Sequence, residues 1–381
     1  MKIGILKELI PDEARVALVP STAAQFVKDG HEVLVESRSG ERASFADAQF
    51  EKVGARIIAS PSEVYDQSDL LIRIHPLTDH PQLGKHEGEL LRESAAVVGF
   101  MSPFSNRNTI ETFVRRRITS FSMEFIPRSA RAQSMDALSS MATIAGYKAV
   151  LLAANHLKKI FPLMMTAAGT IHPSTVLILG AGVAGLQAIA TAKRLGARVE
   201  AFDPRPVVKE QVQSLGASFV EMELPKDAET EQGYAKELSA EFLKMEQEAI
   251  ASRLPKVDVV ISTAQVFGKR PPILITNDML KLLRPGSVIV DLAAEQGGNC
   301  EATKSGETLD VHGITVIGAV NLPSTLPVHA SELYARNVTN FIRHVYQQKN
   351  GAIDFNDDIV KSACLTHNGE IVNQLLRQST N

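Results

Sequence analysis

The chain has 381 residues, of which 44% are hydrophobic and 22% charged, and its 40 lysines and arginines against 43 aspartates and glutamates give a formal net charge of −3. This length predicts roughly two or three domains, and this composition excludes a disordered or collagen-like chain. The charge gives no reason to expect nucleic acid or an anionic membrane as a partner, and two cysteines, Cys300 and Cys364, are too few for a disulfide scaffold and favour a reducing compartment.

Apolar runs of strand length occur in the N-terminal part of the chain, at Lys2–Leu6, His31–Val35, Asp69–His75 and Ala95–Met101. Between the first two, Thr22–Lys28 has the apolar spacing of a helix, and Gly30 just after it predicts the helix end. Strands that alternate with helices are typical of a parallel sheet covered by helices. The first apolar run is too short for a secretory signal.

A second α/β unit begins at Thr175 and is more explicit. Its pattern predicts a helix at Gly185–Leu195 that Gly196 closes, and strands at Thr175–Leu179, Arg198–Phe202, Val257–Ser262, Ser287–Leu292 and Ile314–Ile317. The uncharged stretch Thr175–Ala192 has the length of a membrane span, but a strand, a turn and a helix explain its glycines better than lipid does.

The remaining segments predict a loop and two helices. Glu221–Gly233 is acidic and poor in apolar residues, which predicts an exposed, mobile loop. The helix after this loop is expected to carry Leu238, Phe242, Met245 and Ala249 on one face. A last helix, Leu333–Val345, has no predicted strands of its own, so we expect it to pack on the first domain.

The predicted fold is therefore α/β, with two Rossmann-like, doubly wound parallel-sheet domains and a cleft between them. The first domain is expected to be discontinuous, formed by residues 1–143 and 327–381, and the second to comprise residues 144–326.

The strongest motif is the run Gly180-Ala181-Gly182-Val183-Ala184-Gly185, which follows a predicted strand and opens a predicted helix. In a dinucleotide-binding turn, the first glycine permits the turn, the second lets the backbone approach a pyrophosphate, and the third allows close helix–strand packing. Asp203 ends the next predicted strand, where a carboxylate suits a ribose 2′-hydroxyl and repels a 2′-phosphate. This favours NAD(H) over NADP(H). Arg205 argues in the other direction, because a nearby arginine can bind the 2′-phosphate of NADP(H).

A second polar run, Arg128-Ser129-Ala130-Arg131-Ala132-Gln133-Ser134-Met135-Asp136-Ala137-Leu138-Ser139-Ser140, lies at the boundary between the two predicted α/β units. Its side chains are suited to hydrogen bonds with a carboxamide and a ribose. The same spacing fits a capped linker in which Asp136 or Ser139 begins a helix. The residues alone leave both interpretations open.

Motifs for a metal site or a covalent nucleophile are missing from the sequence. The ten histidines form no HExxH arrangement and no helical pair, the cysteines form no CxxC, and no GxSxG occurs. Isolated histidines such as His172 and His329 are therefore interpreted as structural or surface residues, and no metal is expected.

With these residues in view, the chain resembles the NAD(H)-binding component of the proton-translocating nicotinamide nucleotide transhydrogenases, within the alanine dehydrogenase/transhydrogenase superfamily. It is most similar in character to the separate, soluble first segment of the alpha subunit, and the resemblance covers essentially the whole length. Besides the glycine run, the segments that carry it are Pro11–Pro20, Arg128–Ser140, Thr166–Gly169, Ala190–Gly196, Lys209–Gly216, Gly233–Lys236 and Asp291–Cys300. The chain departs from the family pattern at Gln265–Phe267, where Leu-Ile-Pro is usual, and at Gly318–Asn321.

The resemblance implies roles for individual residues. The nicotinamide end of NAD(H) would be held by Arg128, Gln133, Asp136 and Ser139, with Ser129 beside them. The pyrophosphate would lie against Gly180, Gly182, Val183, Ala184 and Gly185, and the adenosine ribose against Asp203 and Arg205. A mobile loop with Gly233 and Tyr234 would close over the site and touch the partner, and Ala264 and Gln265 would complete the cofactor-binding set. The residues assigned to catalysis are Arg128, Gln133, Asp136, Ser139 and Tyr234.

The same resemblance implies that this chain supplies one half of an active site. NAD(H) would bind here and NADP(H) would bind to a partner component, with direct Re/Si-specific hydride transfer between the two nicotinamides. Such a transfer moves no proton at the reacting carbons, so positioning replaces acid–base catalysis. A separate membrane-spanning subunit would couple the reaction to proton translocation. The chain would be a homodimer, inactive alone, on the cytoplasmic face of the bacterial inner membrane.

Two other functions stay open. An alanine dehydrogenase would use Arg15 for the substrate carboxylate. However, the lysine of that family is missing from Arg73–Pro76, and its histidine is missing from Val98–Met101. A regulatory module that only binds nucleotide would not need the polar run Arg128–Ser140.

Overall fold

The computed structural model describes residues 1–222, 240–265, 270–347 and 352–378. The chain forms two compact units, one of residues Met1–Met141 with Pro323–Asn381 and one of residues Ala142–Leu322. Each unit has its own sheet and its own apolar core. The domain limits expected from the sequence, at 143/144 and 326/327, stay a prediction.

The sheet of the first unit has eight strands. From edge to edge these are Glu370–Ile371, Cys364–His367, Thr119–Ser122, Ala96–Gly99, Leu70–Ile72, Lys2–Ile5, Glu32–Glu36 and Arg56–Ile58. The strands from Thr119–Ser122 to Arg56–Ile58 run parallel, whereas the two C-terminal strands are antiparallel. The central strands bury aliphatic side chains such as Ile3 and Leu71 on both faces, and this produces the apolar runs that predicted them.

Helices surround this first sheet. They span Pro20–Lys28, Asp47–Lys52, Pro61–Gln67, Glu87–Leu90, Arg107–Arg115, Pro327–Val345, Asp358–Ala363 and Gln374–Gln378, and a small antiparallel ribbon joins Asp79–His80 to Lys85–His86. The long C-terminal helix Pro327–Val345 contacts the sheet through Phe341, whose ring meets that of Phe121 edge-on at 5.4 Å between centroids.

Some strands of the first unit do not follow the apolar pattern, namely Arg56–Ile58, Thr119–Ser122, Cys364–His367 and Glu370–Ile371. The expectation that the C-terminal part adds no strands is wrong, because Cys364–His367 pairs with Thr119–Ser122. Hydroxyl groups occupy buried positions in this pair, where Ser120 and Thr366 hydrogen-bond each other at 2.7 Å. A search for apolar runs therefore passes over both strands.

The sheet of the second unit has seven strands, in the order Ser218–Phe219, Arg198–Phe202, Thr175–Leu179, Val259–Ser262, Val288–Asp291, Ile314–Gly318 and Thr308–Val311. All are parallel except Thr308–Val311, which is antiparallel to its neighbour. The strand order reverses beside Thr175–Leu179, as it does at the switch point of a doubly wound sheet. The predicted fold class, α/β with two mainly parallel, Rossmann-like sheets, is confirmed.

Both faces of the second sheet are apolar. On the strand Thr175–Leu179, Val176 and Ile178 join one core cluster, while Leu177 and Leu179 join another on the opposite face. The helices on these faces span Ala137–His156, Val183–Arg194, Lys209–Ser214, Ala240–Ala251 and Asn277–Leu280. An exposed hairpin, Met164–Thr166 paired with Gly169–Ile171, was not predicted.

The helix Ala240–Ala251 buries a face that overlaps the expected one only in part, since Phe242 is common to both. Its buried residues are Phe242, Glu246 and Ile250, whereas Met245 and Ala249 are only partly buried. The predicted Leu238 lies outside the described residues. The expected face included only apolar residues, so it missed a glutamate that lies directly between two buried hydrophobic positions at helical spacing.

The helix Ala137–His156 is, among the described residues, long and apolar enough by length and composition to cross a membrane. The core helix of a globular domain passes the same test, so this is weak evidence for a span. Within the second unit this helix packs closely on protein, because a Cβ added at Gly146 would lie 2.1 Å from the carbonyl oxygen of Ala184.

We expect Gly146→Ala to lower the free energy of unfolding by about 1–3 kcal/mol, because the new methyl group forces two backbones apart. This loss outweighs the gain of about 1 kcal/mol in helix propensity. Urea denaturation measures the change, with Tyr147→Ala on the exposed side of the same helix as control. Unchanged stability in Gly146→Ala would contradict the close contact.

Candidate functional site

The glycine run of the second unit forms a strand–turn–helix. The strand Thr175–Leu179 ends in Gly180, which has a φ of +95° and donates its N–H to the carbonyl of Phe202 at 2.8 Å. That left-handed conformation favours glycine. A Cβ at Gly185 would lie 1.9 Å from the carbonyl oxygen of Gly180, so only glycine lets the helix begin this close to the strand.

Gly182 differs from the other two glycines because space around it is open. A Cβ built there meets no atom of the described residues within 4 Å, so packing within that part of the chain does not explain its lack of a side chain. The helix Val183–Arg194 begins at the next residue, and the first N–H groups of a helix have no partner within it. An open backbone surface at a helix N-terminus fits a phosphate or pyrophosphate group.

The end of the neighbouring strand forms a second wall of this turn. Thr263 lies one residue beyond the strand Val259–Ser262, and its hydroxyl donates to the carbonyl of Gly180 at 3.0 Å. The amide nitrogen of Ala264 lies 3.2 Å from where a Gly180 Cβ would be. The structure thus brings Ala264 next to the predicted turn.

Ala264 is itself held by the buried side chain of Asn299. The Asn299 amide accepts from Ala264 N at 3.1 Å and donates to the Ala264 carbonyl at 2.9 Å. It also donates to the carbonyl of Pro272 at 2.9 Å. The sequence analysis named the Asp291–Cys300 segment but did not identify Asn299 as a residue of the site.

A buried carboxylate, Asp291, organises the whole Asp291–Cys300 segment. Its Oδ1 accepts from the Ser262 hydroxyl and from Ala293 N, and its Oδ2 accepts from the backbone N–H groups of Asn299 and Cys300, all between 2.7 and 3.0 Å. The Thr303 hydroxyl is a fifth donor at 2.7 Å. Asp291 is fully buried, so these donors replace the water that an ionised carboxylate requires.

Asp203 directly follows the strand Arg198–Phe202 and is 6% exposed. Its Oδ2 accepts from Ala181 N at 2.7 Å, which ties it to the glycine turn. Arg205 donates to the same carboxylate from its backbone N–H and from Nε, both at 2.9 Å, and from Nη2 at 3.0 Å. Arg205 therefore neutralises Asp203, and the repulsion of a 2′-phosphate expected from Asp203 alone is weakened.

A second carboxylate, Glu246, interacts with Asp203 and was missed by the sequence analysis. It lies on the helix Ala240–Ala251 and is 2% exposed. Burial, reinforced by the charge of Asp203, raises the pKa of Glu246 to about 7. Both effects oppose ionisation, so this carboxyl is neutral at mildly acid pH.

The polar run of the first unit contains both exposed and capping residues. Arg128, Ser129 and Gln133 are exposed, and the side chain of Arg128 has no hydrogen-bond or ion-pair partner within the part of the chain that the structure describes. Asp136 accepts from the backbone N–H of Ser139 at 2.9 Å and from its hydroxyl at 2.6 Å, directly before the helix Ala137–His156. The capping interpretation thus holds for Asp136, and it leaves the exposed side chains available for a ligand.

The C-terminal helix Pro327–Val345 fixes this run from one side. Asn337 and Asn340 both donate to the carbonyl oxygen of Ser134, at 2.9 and 3.2 Å. Arg131, in contrast to Arg128, forms ion pairs with Asp357 and Asp358. Two arginines three residues apart therefore have different environments.

For some of the predicted site residues, the structure describes few contacts or none. Gly233 and Tyr234 lie outside the described residues, as do Val266 and Phe267 of the departure from the family pattern at Gln265–Phe267. Gln265 is described, and its side-chain amide donates to the carbonyl of Leu292 at 2.6 Å. This bond connects the ends of two neighbouring strands.

Metal and thiol chemistry find no support in this geometry. Within the described ranges, no group of three or more histidine, cysteine, aspartate or glutamate side chains is arranged to hold a metal ion. Burial raises the pKa of Cys300 to about 11 and that of Cys364 to about 12, so both thiols stay protonated at neutral pH.

Arg15 of the first unit is committed to an internal ion pair. Its Nε and Nη2 donate to the two carboxylate oxygens of Glu13, at 2.8 and 2.5 Å, and both residues are buried. Burial by itself raises the pKa of Glu13, but hydrogen bonds from Arg15 and His75 outweigh it and hold that pKa well below its usual range. The guanidinium of Arg15 is therefore already engaged by a protein carboxylate.

The comparisons with known proteins agree with these features. The N-terminal domain of the alanine dehydrogenase/PNT family matches residues 4–145, and the C-terminal domain of the same family matches residues 149–374. The chain belongs to the alanine dehydrogenase/PNT family. The resemblance expected from the sequence is confirmed.

Within the family, the chain is more similar to transhydrogenase subunits than to an alanine dehydrogenase. The chain is 44% identical over 381 residues to the first part of the NAD(P) transhydrogenase alpha subunit of Rhodospirillum rubrum, covering 99% of each chain. It is 41% identical over 378 residues to the protein of the same name from Rickettsia prowazekii, covering 99% of this chain and 98% of the relative. Alanine dehydrogenase 1 of Staphylococcus aureus is more distant, at 26% identity.

A solved structure gives the same result. The crystal structure of transhydrogenase from Sinorhizobium meliloti has a TM-score of 0.84 and 36% identity, and the match covers 98% of this chain and 100% of that one. The function proposed below for this chain therefore starts from the function of transhydrogenase alpha subunits.

We expect Asp291→Asn to lower the free energy of unfolding by about 2–4 kcal/mol, because the new amide group faces backbone N–H donors that need an acceptor. Urea denaturation measures the loss. Glu307→Gln, which changes an exposed carboxylate of the same unit, serves as control and should stay within about 0.5 kcal/mol of the original chain. Equal stability of the two variants would show that the Asp291 network is not what holds the segment.

Proposed function

We propose that this chain is the NAD(H)-binding half of a proton-translocating transhydrogenase. The observation that carries the proposal is the open backbone at Gly182, at the start of a helix and beside the buried Asp203. The two relatives matched over nearly their full length, each named as the first part of a transhydrogenase alpha subunit, support it.

Each end of NAD(H) has its own set of residues in this proposal. Gly180, Gly182, Val183, Ala184 and Gly185 receive the pyrophosphate through backbone N–H groups, and Asp203 with Arg205 receives the adenosine ribose. The exposed residues Arg128, Ser129 and Gln133, with Asp136 and Ser139, receive the nicotinamide end. Gly233, Tyr234, Ala264 and Gln265 complete the set.

At the ribose, binding is an exchange of hydrogen bonds. The Asp203 carboxylate already accepts from Ala181 and, three times, from Arg205. A ribose hydroxyl therefore has to displace side-chain donors of Arg205, whereas the Ala181 bond can remain. The aspartate keeps its orientation through Ala181 while its outer acceptor sites change partners.

When bound, the nicotinamide supplies the hydride, and the protein supplies position. Hydride transfer between two nicotinamides needs no proton donor or acceptor on this chain. The contribution of Arg128 and Gln133 is then to orient the ring's carboxamide and exclude competing poses, so that the reacting carbon meets the NADP(H) of a partner component. A separate membrane-spanning subunit would couple this transfer to proton movement.

The proposal includes assembly and location. The chain would act as a homodimer on the cytoplasmic face of the bacterial inner membrane and would be inactive without the NADP(H)-binding component. The exposed hairpin of the second unit supports self-association, because Met164, Met165 and Ile171 present apolar side chains that are 42%, 76% and 49% exposed. The relatives are named as one part of a subunit, which supports the need for further components.

An alanine dehydrogenase activity is disfavoured by the Arg15–Glu13 pair. In that reaction an arginine must bind a substrate carboxylate, and here a protein carboxylate already occupies the guanidinium. Absence of an absorbance change at the NADH band with alanine and NAD⁺, or with pyruvate, ammonium and NADH, is the expected result.

We expect the chain to bind NADH more tightly than NADPH, and Asp203→Asn to weaken NADH binding about tenfold, because the ribose hydroxyls lose a charged acceptor. Titration with enhancement of NADH fluorescence measures both, and the absence of tryptophan keeps the protein background low. Glu200→Gln, a carboxylate of the same strand, is the matched control. No NADH binding by the unmodified chain would refute the proposed function.

We expect Arg128→Ala to lower the rate of hydride exchange with a purified NADP(H)-binding component at least about tenfold. NADH affinity should change much less, since the pyrophosphate and ribose contacts remain. Arg131→Ala, three residues away and paired with Asp357, is the control and should keep the rate. Equal rates in the two variants would remove Arg128 from the nicotinamide site.

A further inference from the structure

Glu246 occupies a position that packing alone does not explain. It is 2% exposed and lies one helical turn from Phe242 on one side and from Ile250 on the other, both of them buried. Its Oε2 has no hydrogen-bond partner in the described part of the chain. A buried carboxylate without a partner costs folding free energy, and a hydrophobic residue or an amide would fit this face at lower cost.

Among the charged groups of the described residues near this helix, Asp203 is the one whose charge acts on Glu246. On the strand Arg198–Phe202, Glu200 lies 3.8 Å from Arg253 and forms a separate pair. Ile250, one turn along the helix from Glu246, belongs to the same apolar core cluster as Phe202, the last residue of that strand, and Asp203 follows Phe202 directly. The charge of Asp203 opposes ionisation of Glu246. Arg205 is engaged with Asp203 in a bidentate pair.

A further pair, Lys209–Glu221, belongs to segments adjoining the same strands, and it is exposed. Solvent screens its charges, and the lysine and the glutamate offset each other. Among the residues that the structure describes, the charge balance at the adenosine ribose therefore depends on Asp203, Arg205 and Glu246.

We propose that Glu246 is a specificity-determining residue that acts through Asp203 and, when ionised, weakens the binding of nucleotides that carry a 2′-phosphate. The inference rests on the proposed function, in which Asp203 receives the adenosine ribose. Asp203 and Arg205 together carry no net charge, so their pair alone discriminates weakly between a hydroxyl and a phosphate. Ionised Glu246 gives the three groups a net charge of −1, and protonated Glu246 leaves them neutral.

The direction of the pH effect follows from this balance. The pKa of Glu246 is raised to about 7 by burial and by Asp203, so the residue is mainly neutral at pH 6 and mainly ionised at pH 8 and above. A 2′-phosphate opposes that ionisation, so NADPH binding weakens as pH rises through this range. NADH brings a hydroxyl to the same place and changes less. Discrimination in favour of NADH therefore increases with pH.

The test measures Kd for NADH and for NADPH by nucleotide fluorescence between pH 6 and pH 9, on the full chain. We expect the ratio of the NADPH Kd to the NADH Kd to rise about three- to tenfold over this range, the size of effect that one charge produces at about 10 Å in a protein environment. In Glu246→Gln, an uncharged isostere of the protonated carboxyl, the rise should fall to the part that titration of the 2′-phosphate itself produces.

The control variant is Glu248→Gln, an exposed carboxylate two residues away on the same helix, which should keep the rise. The 2′-phosphate of NADPH also titrates, at a pKa of about 6, and this contribution is common to all three proteins. The difference between the original chain and Glu246→Gln therefore isolates Glu246. Circular dichroism checks that both variants fold.

A flat Kd ratio in the original chain, or the same rise in Glu246→Gln, would overturn this inference while NADH binding still upheld the proposed function. Failure of the original chain to bind NADH at any pH would refute the proposed function as well. A rise that is clearly smaller in Glu246→Gln, and unchanged in Glu248→Gln, is the supporting result.

Discussion

The buried carboxylate of Asp291 is the interaction on which the glycine turn depends most. Its five donors come from the end of one strand and from the segment that follows the next. Those bonds orient Asn299, Asn299 holds both backbone groups of Ala264, and the neighbouring Thr263 bonds the carbonyl of Gly180. The shape of the turn is therefore maintained by a buried charge through a series of hydrogen bonds between protein groups.

The parts of the fold that the sequence predicts are those with one dominant physical cause. Thr175–Leu179 was predicted with its observed bounds because a strand covered on both faces is almost continuously apolar, and Arg198–Phe202, with three apolar residues, was predicted with its bounds as well. The glycine run was recognised because a left-handed φ at Gly180 and a close approach at Gly185 both require glycine. Edge and C-terminal strands such as Cys364–His367 were missed because polar residues occupy some of their buried positions, as in the hydrogen bond between Ser120 and Thr366.

The candidate site was predicted less completely, because its supporting residues act through distant contacts. Asp203 was identified by its distance along the chain from the glycines. That Arg205 pairs with it, and that Glu246 interacts with it from a helix more than forty residues later, depends on how the sheet and helix pack. A buried face that is predicted only from the hydrophobic residues of a helix cannot include a buried acid such as Glu246. Charged groups at packed positions are where the pattern of the sequence is least informative.

The two asparagines that bond Ser134 have a consequence for how this sequence can vary. A carbonyl oxygen has two lone pairs, and Asn337 and Asn340 each use one of them. Loss of either donor leaves the other in place, so the polar run keeps its attachment to the helix through single substitutions. Because of this redundancy, a substitution at either asparagine alone is tolerated, whereas substitution of both removes the attachment. Among homologous chains, the expected signature is that at least one of the two asparagines is retained.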